Sequence, residues 1–400
     1  MTSVRTPIAA LTRFAPPCPA RVAGRVTFAD ADRALVLDST GSIEARGETL
    51  PPIGAWVVAE GTWDGRALDS CAFELLGTPE AFPAPDGEFL RLNGPSRLLE
   101  NLKQRATVLR AVRGWFDERA FLEVETPLAV PSPGLDLHLS ALSVEGLGAP
   151  RWLITSPEYQ MKRLLAGGAT RIYQLARCFR RGERGDHHEP EFTMLEWYRA
   201  FAGSGEMMRD TEELAAHVAR VLHHGSTTVL GRGRPVDLAP PWRRMRVEEA
   251  FSRIAGVSLS DVLPDEERFF RILVEKIEPG LGYPKPVFLT HWPASMASLA
   301  RIRPDGWADR IEAYVDGLEL CNGFGELTDP VEQRQRLERD RAARAQQGLA
   351  DYPIDERFLA ALAEGMPPSG GNALGIDRLV MLVLGVKHIE DVLAFPQSRL

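Results

Sequence analysis

The first quarter of the chain alternates apolar and polar positions in short bursts: residues 21–28, 34–38, 42–45, 55–61 and 72–76. A period of two marks half-buried strands, and the turns between the bursts are rich in Gly, Asp and Pro. Five such strands in close succession predict a small all-β barrel of the OB type. The Pro-rich run 78–86, TPEAFPAPD, reads as the end of that unit. The expected organisation is therefore a barrel over 1–85, a linker over 86–95 and a second domain over 96–400.

From Ser96 the period lengthens to that of a helix, with Leu102, Leu109, Val112 and Phe116 on one stripe and charges on the other face. Residues 121–127, FLEVETP, then alternate as a strand closed by a proline that has no N–H for a ladder, and Glu123 and Glu125 read as its solvated face. In TSPEYQMKRLL, residues 155–165, Ser156 is placed to cap a helix with Pro157 at its first position. Glu158 then falls in the first turn, where the helix dipole favours an acid whether or not it has another role.

Two apolar strands are predicted over 172–179 and 192–198, joined by a polar loop. A helix follows over 206–223 and a Gly/Pro-broken excursion over 226–241. HWPASMASL, residues 291–299, is a small-residue loop that suits either close approach of a ligand or a tight turn. Residues 311–326 spell two strands about an Asp316-Gly317 turn, with Glu312, Glu319 and Glu326 at seven-residue intervals in an apolar context. Buried acids are costly unless a cation pairs with them. The stretch 328–347 is charged nearly all round and predicts a solvated helix. Residues 370–384 read as a glycine-rich turn entering an apolar helix. Arg378 near its start is either partner to an acid or a phosphate contact at a helix N-terminus.

Composition narrows the classes. A 400-residue chain that is 44% hydrophobic buries one large core and a small one. The net charge of -8 argues against a general nucleic-acid binder but leaves room for a local basic cleft. Cys18, Cys71, Cys178 and Cys321 are widely spaced and form no CxxC pair, which argues against a disulfide framework and a zinc site. No apolar run approaches the roughly 20 residues of a membrane span, and the first 22 residues lack a leader-like apolar segment. A cytoplasmic protein without a membrane partner is expected. The first 90 residues hold seven arginines, no lysine and twelve acids, so the barrel is expected to contact protein or to be structural.

Against this acidic background, residues 173–198 gather Arg180, Arg181, Arg184, His187 and His188 in the loop of one hairpin. Guanidinium forks match phosphate oxygens, so a polyanionic ligand is one reading. The other is a solvated loop balanced by Glu183, Asp186 and Glu189.

Together, FLEVETP, the FR...H.PEFTMLEWY hairpin and ALGIDRLVM resemble the three signature motifs of the class II aminoacyl-tRNA synthetases, over residues 94–400. TSPEYQMKRLL, PEFTMLEWY and ELCNGFGELTDP resemble the lysyl branch. The resemblance is strongest to its stand-alone ligases, which activate (R)-β-lysine, or lysine more weakly, and attach it to a lysine side chain of elongation factor P. This resemblance implies an α+β fold, an antiparallel sheet flanked by helices. It also implies ATP and Mg²⁺, a homodimer through the first motif, elongation factor P as acceptor, and no tRNA partner.

Carried over by position, the resemblance gives Arg180 the α-phosphate and His188 the outer phosphates. Phe192 and Arg378 would flank adenine, with Arg181, Gly182, Glu183, Glu189, Leu320 and Gly375 around the nucleotide. Arg180 and Arg378 would be catalytic, stabilising charge on the phosphates, and Glu312 and Glu319 would bind magnesium and ATP. Ser156, Pro157 and Glu158 would hold the amino end of the amino acid and Asn322 its carboxylate. Glu196, Tyr198 and Glu326 would grip the distal ammonium beside Phe324, over a floor that includes Ala373, where lysyl-tRNA synthetases carry glycine.

Three features depart from the pattern. Gly182 follows Arg181 where the motif reads Arg-x-Glu, with Glu183 one place later, and Glu189 stands where Asn is expected. Either Glu183 moves in toward adenine or nucleotide binding is weakened. The third departure is the short acidic barrel, which is smaller than an anticodon-reading one and foreign to the stand-alone ligases. A lysine-activating or tRNA-charging enzyme and a non-catalytic amino-acid-binding paralogue remain the alternative readings.

Overall fold

A computed structural model describes residues 5–400, so the first four residues of the N-terminal segment read above lie outside it. The chain divides into two units, Met1–Glu100 and Asn101–Leu400. In the first, β1 (Cys18–Ala29), β2 (Ala34–Leu37), β3 (Ser42–Ala45), β4 (Trp56–Trp63) and β5 (Ala67–Gly77) close into a barrel in the order β1-β2-β3-β5-β4. All pairings are antiparallel except β3 with β5. Val22 and Val26 of β1 face inward with Val36, Ile43, Val57 and Leu68. Gly24 lies between the two valines, where a Cβ would stand 2.5 Å from the Leu37 carbonyl oxygen. Only glycine lets β2 approach closely enough there.

The stretch read as linker is ordered. It contains a short helix, α1 (Glu88–Asn93), whose Phe89 meets Phe82 edge-on at 4.6 Å. The Arg25 guanidinium of β1 lies 4.3 Å from the Phe82 ring centre and donates to the Gly54 carbonyl. An OB-like barrel with its own small core is thus followed by residues that pack back on it.

The long helix α2 (Leu98–Asp117) leads into the second unit. It is followed by β6 (Leu122–Glu123), a three-stranded patch of β7 (Ala129–Val130), β8 (Ser143–Val144) and β9 (Arg151–Leu153), and α3 (Glu158–Ala166). The hairpin β10 (Arg171–Phe179) and β11 (Glu191–Ala200) comes next, then α4 (Ser204–Leu222) and the pair β12 (Thr228–Val229) and β13 (Val236–Asp237). The chain continues through β14 (Arg243–Arg246), α5 (Val247–Ala250), α6 (Glu266–Ile272) and β15 (Val287–Trp292). It ends with β16 (Ala308–Val315), β17 (Leu318–Gly325), α7 (Pro330–Gln346), α8 (Glu356–Gly365), β18 (Ser369–Gly375) and α9 (Ile376–Leu384). Eight strands form one sheet in the order β14-β15-β16-β17-β18-β11-β10-β6, antiparallel except where β14 meets β15 and β6 meets β10. Helices cover one face: Trp115 and Phe116 of α2, Leu214 of α4 and Leu379 of α9 share a core with Trp197 and Ile311 of the sheet.

Three expectations need correction. FLEVETP is a strand over only two residues, because its parallel pairing with β10 stops at Tyr173. Glu123 there is exposed, as expected, and accepts from Arg113 and the Tyr173 hydroxyl. The glycines before α9 form an inner strand, β18, rather than a turn. At Gly371 a Cβ would lie 2.2 Å from Glu326 Oε1 and 2.3 Å from the Tyr198 ring, so the strand needs glycine to pass between them. Helix α7 is not solvated all round, since Arg336 and Arg344 are buried on its inner side. They donate to the carbonyls of Ser298 and Ala300, and of Asp136, Leu139 and Ala350, so charge on this helix faces backbone oxygens. The four cysteines are unpaired, and no helix among the described residues is long and apolar enough to cross a membrane.

Candidate active site

The face of the sheet away from the helical core opens into a cavity of about 420 Å³. Residues opposite one another on neighbouring strands point to the same side. One rung runs Gln174, Glu196, Ala373, Asn322, Glu312 and Leu289 across β10, β11, β18, β17, β16 and β15. Its four middle members line the cavity. Along β11 the period of two sends Phe192, Met194, Glu196 and Tyr198 to the cavity and Leu195 and Trp197 to the core.

Strict alternation would not bring Glu319 here. Between Ala313 and Tyr314 the register of β16 and β17 slips by one, so that Ala313 faces Cys321 while Tyr314 faces Glu319. Leu320 is the extra residue of a bulge, and the bulge turns the Glu319 carboxylate toward the cavity.

At one end lies an acidic corner. Ser156 Oγ accepts the Glu158 N–H at 3.1 Å, and Pro157 stands at the cap itself, so α3 starts one residue later than expected. One turn on, the buried Lys162 ammonium sits 2.6 Å from Glu158 Oε1 and 2.6 Å from Glu326 Oε2. Glu196 accepts the Tyr198 hydroxyl on Oε2 at 2.9 Å, while its buried Oε1 has no hydrogen-bond partner. Burial, helped by the charge of Glu158, pushes the Glu196 carboxyl up to about 8, against Ser156, Tyr198 and Lys162. Burial likewise lifts Glu326 to about 7 in spite of Lys162. Acids this far up become carboxylates when a cation arrives. Asn322 Oδ1 and Glu326 Oε1 are further buried oxygens without a hydrogen-bond partner.

At the other end stand the arginines. Arg180 lies with its guanidinium carbon 5.0 Å from the Phe192 ring centre and 3.6 Å from Glu183 by its nearest nitrogen, and its buried Nε is unpartnered. Arg378, in the first turn of α9, donates from Nη1 to the carbonyl and carboxylate of Glu319 at 2.8 and 3.1 Å. Burial would raise the Glu319 carboxyl, but Arg378, Arg180 and Arg310 together outweigh it and hold the group below its ordinary value. Glu312 takes Arg310 at 2.6 Å and the Tyr314 hydroxyl at 2.7 Å, yet burial keeps it raised. Glu278 accepts Tyr314 at 3.2 Å and is lifted by burial to about 7.

Most residues named from the sequence converge here: Ser156, Glu158, Arg180, Glu183, His188, Glu189, Phe192, Glu196, Tyr198, Glu312, Glu319, Leu320, Asn322, Phe324, Ala373, Gly375 and Arg378 line the cavity. Pro157, Arg181, Gly182 and Glu326 do not. Arg181 is exposed and its N–H binds the Ser140 carbonyl, Gly182 takes φ +82° in the loop, and Glu326 lies behind the wall against Lys162. Of the two departures in the hairpin, Glu183 stands in the cavity wall, and Glu189 is buried, accepting the Gln397 N–H at 3.0 Å.

Sequence reasoning passed over Lys162, Glu278, Arg310, Tyr314 and Asp377. Lys162 had a visible signal, a cation on the same stripe of α3 as the buried Tyr159 and Leu165. Asp377 is braced by the Thr193 N–H at 2.8 Å and by Arg105 at 2.6 Å, a link over more than 180 residues that no local pattern reveals.

Comparison with known proteins gives the family of the second unit. Residues 86–399 match the family described as tRNA synthetases class II (D, K and N), which leaves the barrel outside the matched region. Proteins named elongation factor P–(R)-β-lysine ligase are similar over 76% of this chain and 97% of their own length. Those of Proteus mirabilis and Photorhabdus laumondii are 42% identical over 316 and 320 residues, and that of Salmonella typhi 40% over 320.

Proposed function

Because the chain belongs to the class II tRNA synthetases of the D, K and N type, we propose that it is an ATP-dependent, AMP-forming ligase for a diamino acid. The amino acid is (R)-β-lysine, or lysine, and the acceptor is a lysine side chain of elongation factor P, as the names of its relatives state for them. Such an enzyme works in the cytoplasm.

The observation that carries the reading is the acidic corner. Two carboxylates, Glu158 and Glu326, hold one ammonium, a third, Glu196, stands in the same corner, and two buried carboxylate oxygens, Glu196 Oε1 and Glu326 Oε1, have no hydrogen-bond partner. That corner is short of positive charge, while the arginines at the opposite end suit phosphate. A substrate with ammonium groups at one end and an anhydride-forming carboxylate at the other satisfies both.

In this reading the substrate carboxylate attacks the α-phosphorus, and the bond to the pyrophosphate oxygen breaks. Arg180 and Arg378 stabilise the charge that develops on the phosphates. The acceptor amine then attacks the acyl carbon of the adenylate, loses a proton and displaces AMP, leaving an amide. Positioning replaces a protein nucleophile. Among the described residues there is no group of three or more side chains that would cage a metal by themselves. Glu312 and Glu319 nevertheless fit the one or two carboxylates with which magnesium is held alongside substrate phosphates. Bound there, it would neutralise phosphate charge.

ATP–pyrophosphate exchange with (R)-β-lysine and with L-lysine, without tRNA, tests the proposal. Exchange that favours β-lysine, followed by mass gain on elongation factor P, is the expected result. Preference for L-lysine would move the reading to a lysine activator, and no exchange from folded protein would leave a binding paralogue.

A further inference from the structure

Lys162 is one of five lysines in a chain with forty-two arginines, and it is sealed from solvent on the apolar side of α3. Two carboxylates hold it at 2.6 Å, Glu158 from its own helix and Glu326 from the segment after β17. Stability alone does not call for this arrangement, since a buried ion pair seldom outperforms apolar side chains of similar volume. Glu326 meets Lys162 through Oε2 only, and its buried Oε1 has no hydrogen-bond partner.

We propose that Lys162 is a positioning residue for amino-acid recognition, a resident counter-ion that holds the Glu158 and Glu326 side chains in place and sets the corner for two ammonium groups rather than one. The inference rests on the diamino-acid reading above. Once an arriving cation has displaced the Glu196 proton, three carboxylates and one ammonium leave two negative charges. A diamino acid brings two ammonium groups, and its carboxylate belongs at the Asn322 and Arg180 end. A monoamino acid leaves a buried carboxylate without a cation, which costs affinity.

The groups that face Lys162 are few. They are Glu158 on α3, Glu196 on β11, which accepts the Tyr198 hydroxyl, and Glu326, with Asp309 of β16 acting on Glu326 from beyond. Asp136, Asp340 and Asp355 act on Tyr159 of the same helix instead. Removing the Lys162 charge therefore makes the corner's carboxylates harder to ionise, and removing the Glu326 charge makes them easier.

The experiment is ATP–pyrophosphate exchange by the full-length protein across pH, with KM measured separately for the diamino acid and for ATP. Lys162→Met is expected to raise the amino-acid KM about ten-fold or more while the KM for ATP stays put, and to move the acid limb of kcat/KM to higher pH. Glu326→Gln is expected to raise the same KM but to move that limb to lower pH. The double variant Lys162→Met/Glu326→Gln, which loses one charge of each sign, is expected to return the limb to its original place. A merely structural role would not move the limb in opposite directions. If Lys162→Met fails to fold, Glu326→Gln and the double variant carry the test. An unchanged amino-acid KM in folded Lys162→Met, or pH limbs that do not move, overturns the inference while leaving the diamino-acid reading intact. Absence of exchange by the unaltered protein overturns both.

Discussion

Arg378 donates from Nη2 to His188 Nε2 across 2.7 Å, tying the first turn of α9 to the tip of the β10–β11 hairpin. A guanidinium has no acceptor, so this imidazole nitrogen carries no proton. Burial and Arg378 both lower the His188 pKa, in keeping with a neutral ring. The same guanidinium fixes Glu319, and so joins the basic and acidic walls of the nucleotide end. Arg378→Ala is expected to cut pyrophosphate exchange by about 10²–10³, the usual loss when a stabiliser of developing charge is removed. Arg378→Lys should recover little, because a lysine lacks the planar fork that reaches two partners at once. Exchange rates at saturating amino acid measure both.

The acidic corner predicts a pH dependence. Without ligand, Glu196 keeps its proton until about pH 8, so the folded chain holds a proton that the unfolded one has released, and stability falls as pH climbs from the ordinary carboxylate range toward 8. An arriving ammonium reverses the preference and expels that proton. The amino-acid KM should therefore fall as pH rises to about 8 and then level off. Calorimetric titration at pH 7 in buffers of different ionisation heat should show net proton release for the parent and less for Glu196→Gln.

Ala373 lies in the rung between Glu196 and Asn322, with its methyl group in the cavity floor. Ala373→Gly should shift preference from β-lysine toward L-lysine by about ten-fold, the low end of what one methyl group achieves in a fitted pocket. The ratio of kcat/KM for the two substrates is the readout.

Helix α7 supports the cavity from outside. Arg344 is 1% exposed, donates to Asp136 and Leu139 of a cavity-lining loop, and lies 4.4 Å from the Tyr352 ring, whose hydroxyl holds the Ala141 N–H. Arg344→Met orphans those carbonyls and should cost about 2–4 kcal/mol. Thermal unfolding would show it as a lowered Tm.

Much of this was legible from the chain because its signals are local. Alternation revealed the barrel strands and the β10–β11 hairpin, and the Asp316-Gly317 turn, with φ of +51° and +76°, is the left-handed pair that such a dipeptide supplies. Charges placed among apolar residues exposed Glu312, Glu319 and Glu326 as site candidates, and the resemblance added Glu196. Helix α7 misled because charge count does not say what a charge meets, and an arginine that donates to backbone carbonyls looks in sequence like one in water. Glu326 shows the complementary limit: its partner in the fold is Lys162, 164 positions earlier, which no local pattern reveals. The glycines of β18 read as a turn because the side chains that crowd them come from distant strands.

The sealed Lys162 pair has one more consequence, for chemistry rather than for binding. An acyl-adenylate reacts with amines, and an amine beside the cavity would be the first to meet it. Burial alone would strip Lys162 of its proton, but Glu158 and Glu326 reverse that and raise its pKa above the ordinary value. Held as an ammonium, its nitrogen has no lone pair to offer. Lys162 is therefore not a nucleophile, and the activated acyl group is left for an amine that enters from outside.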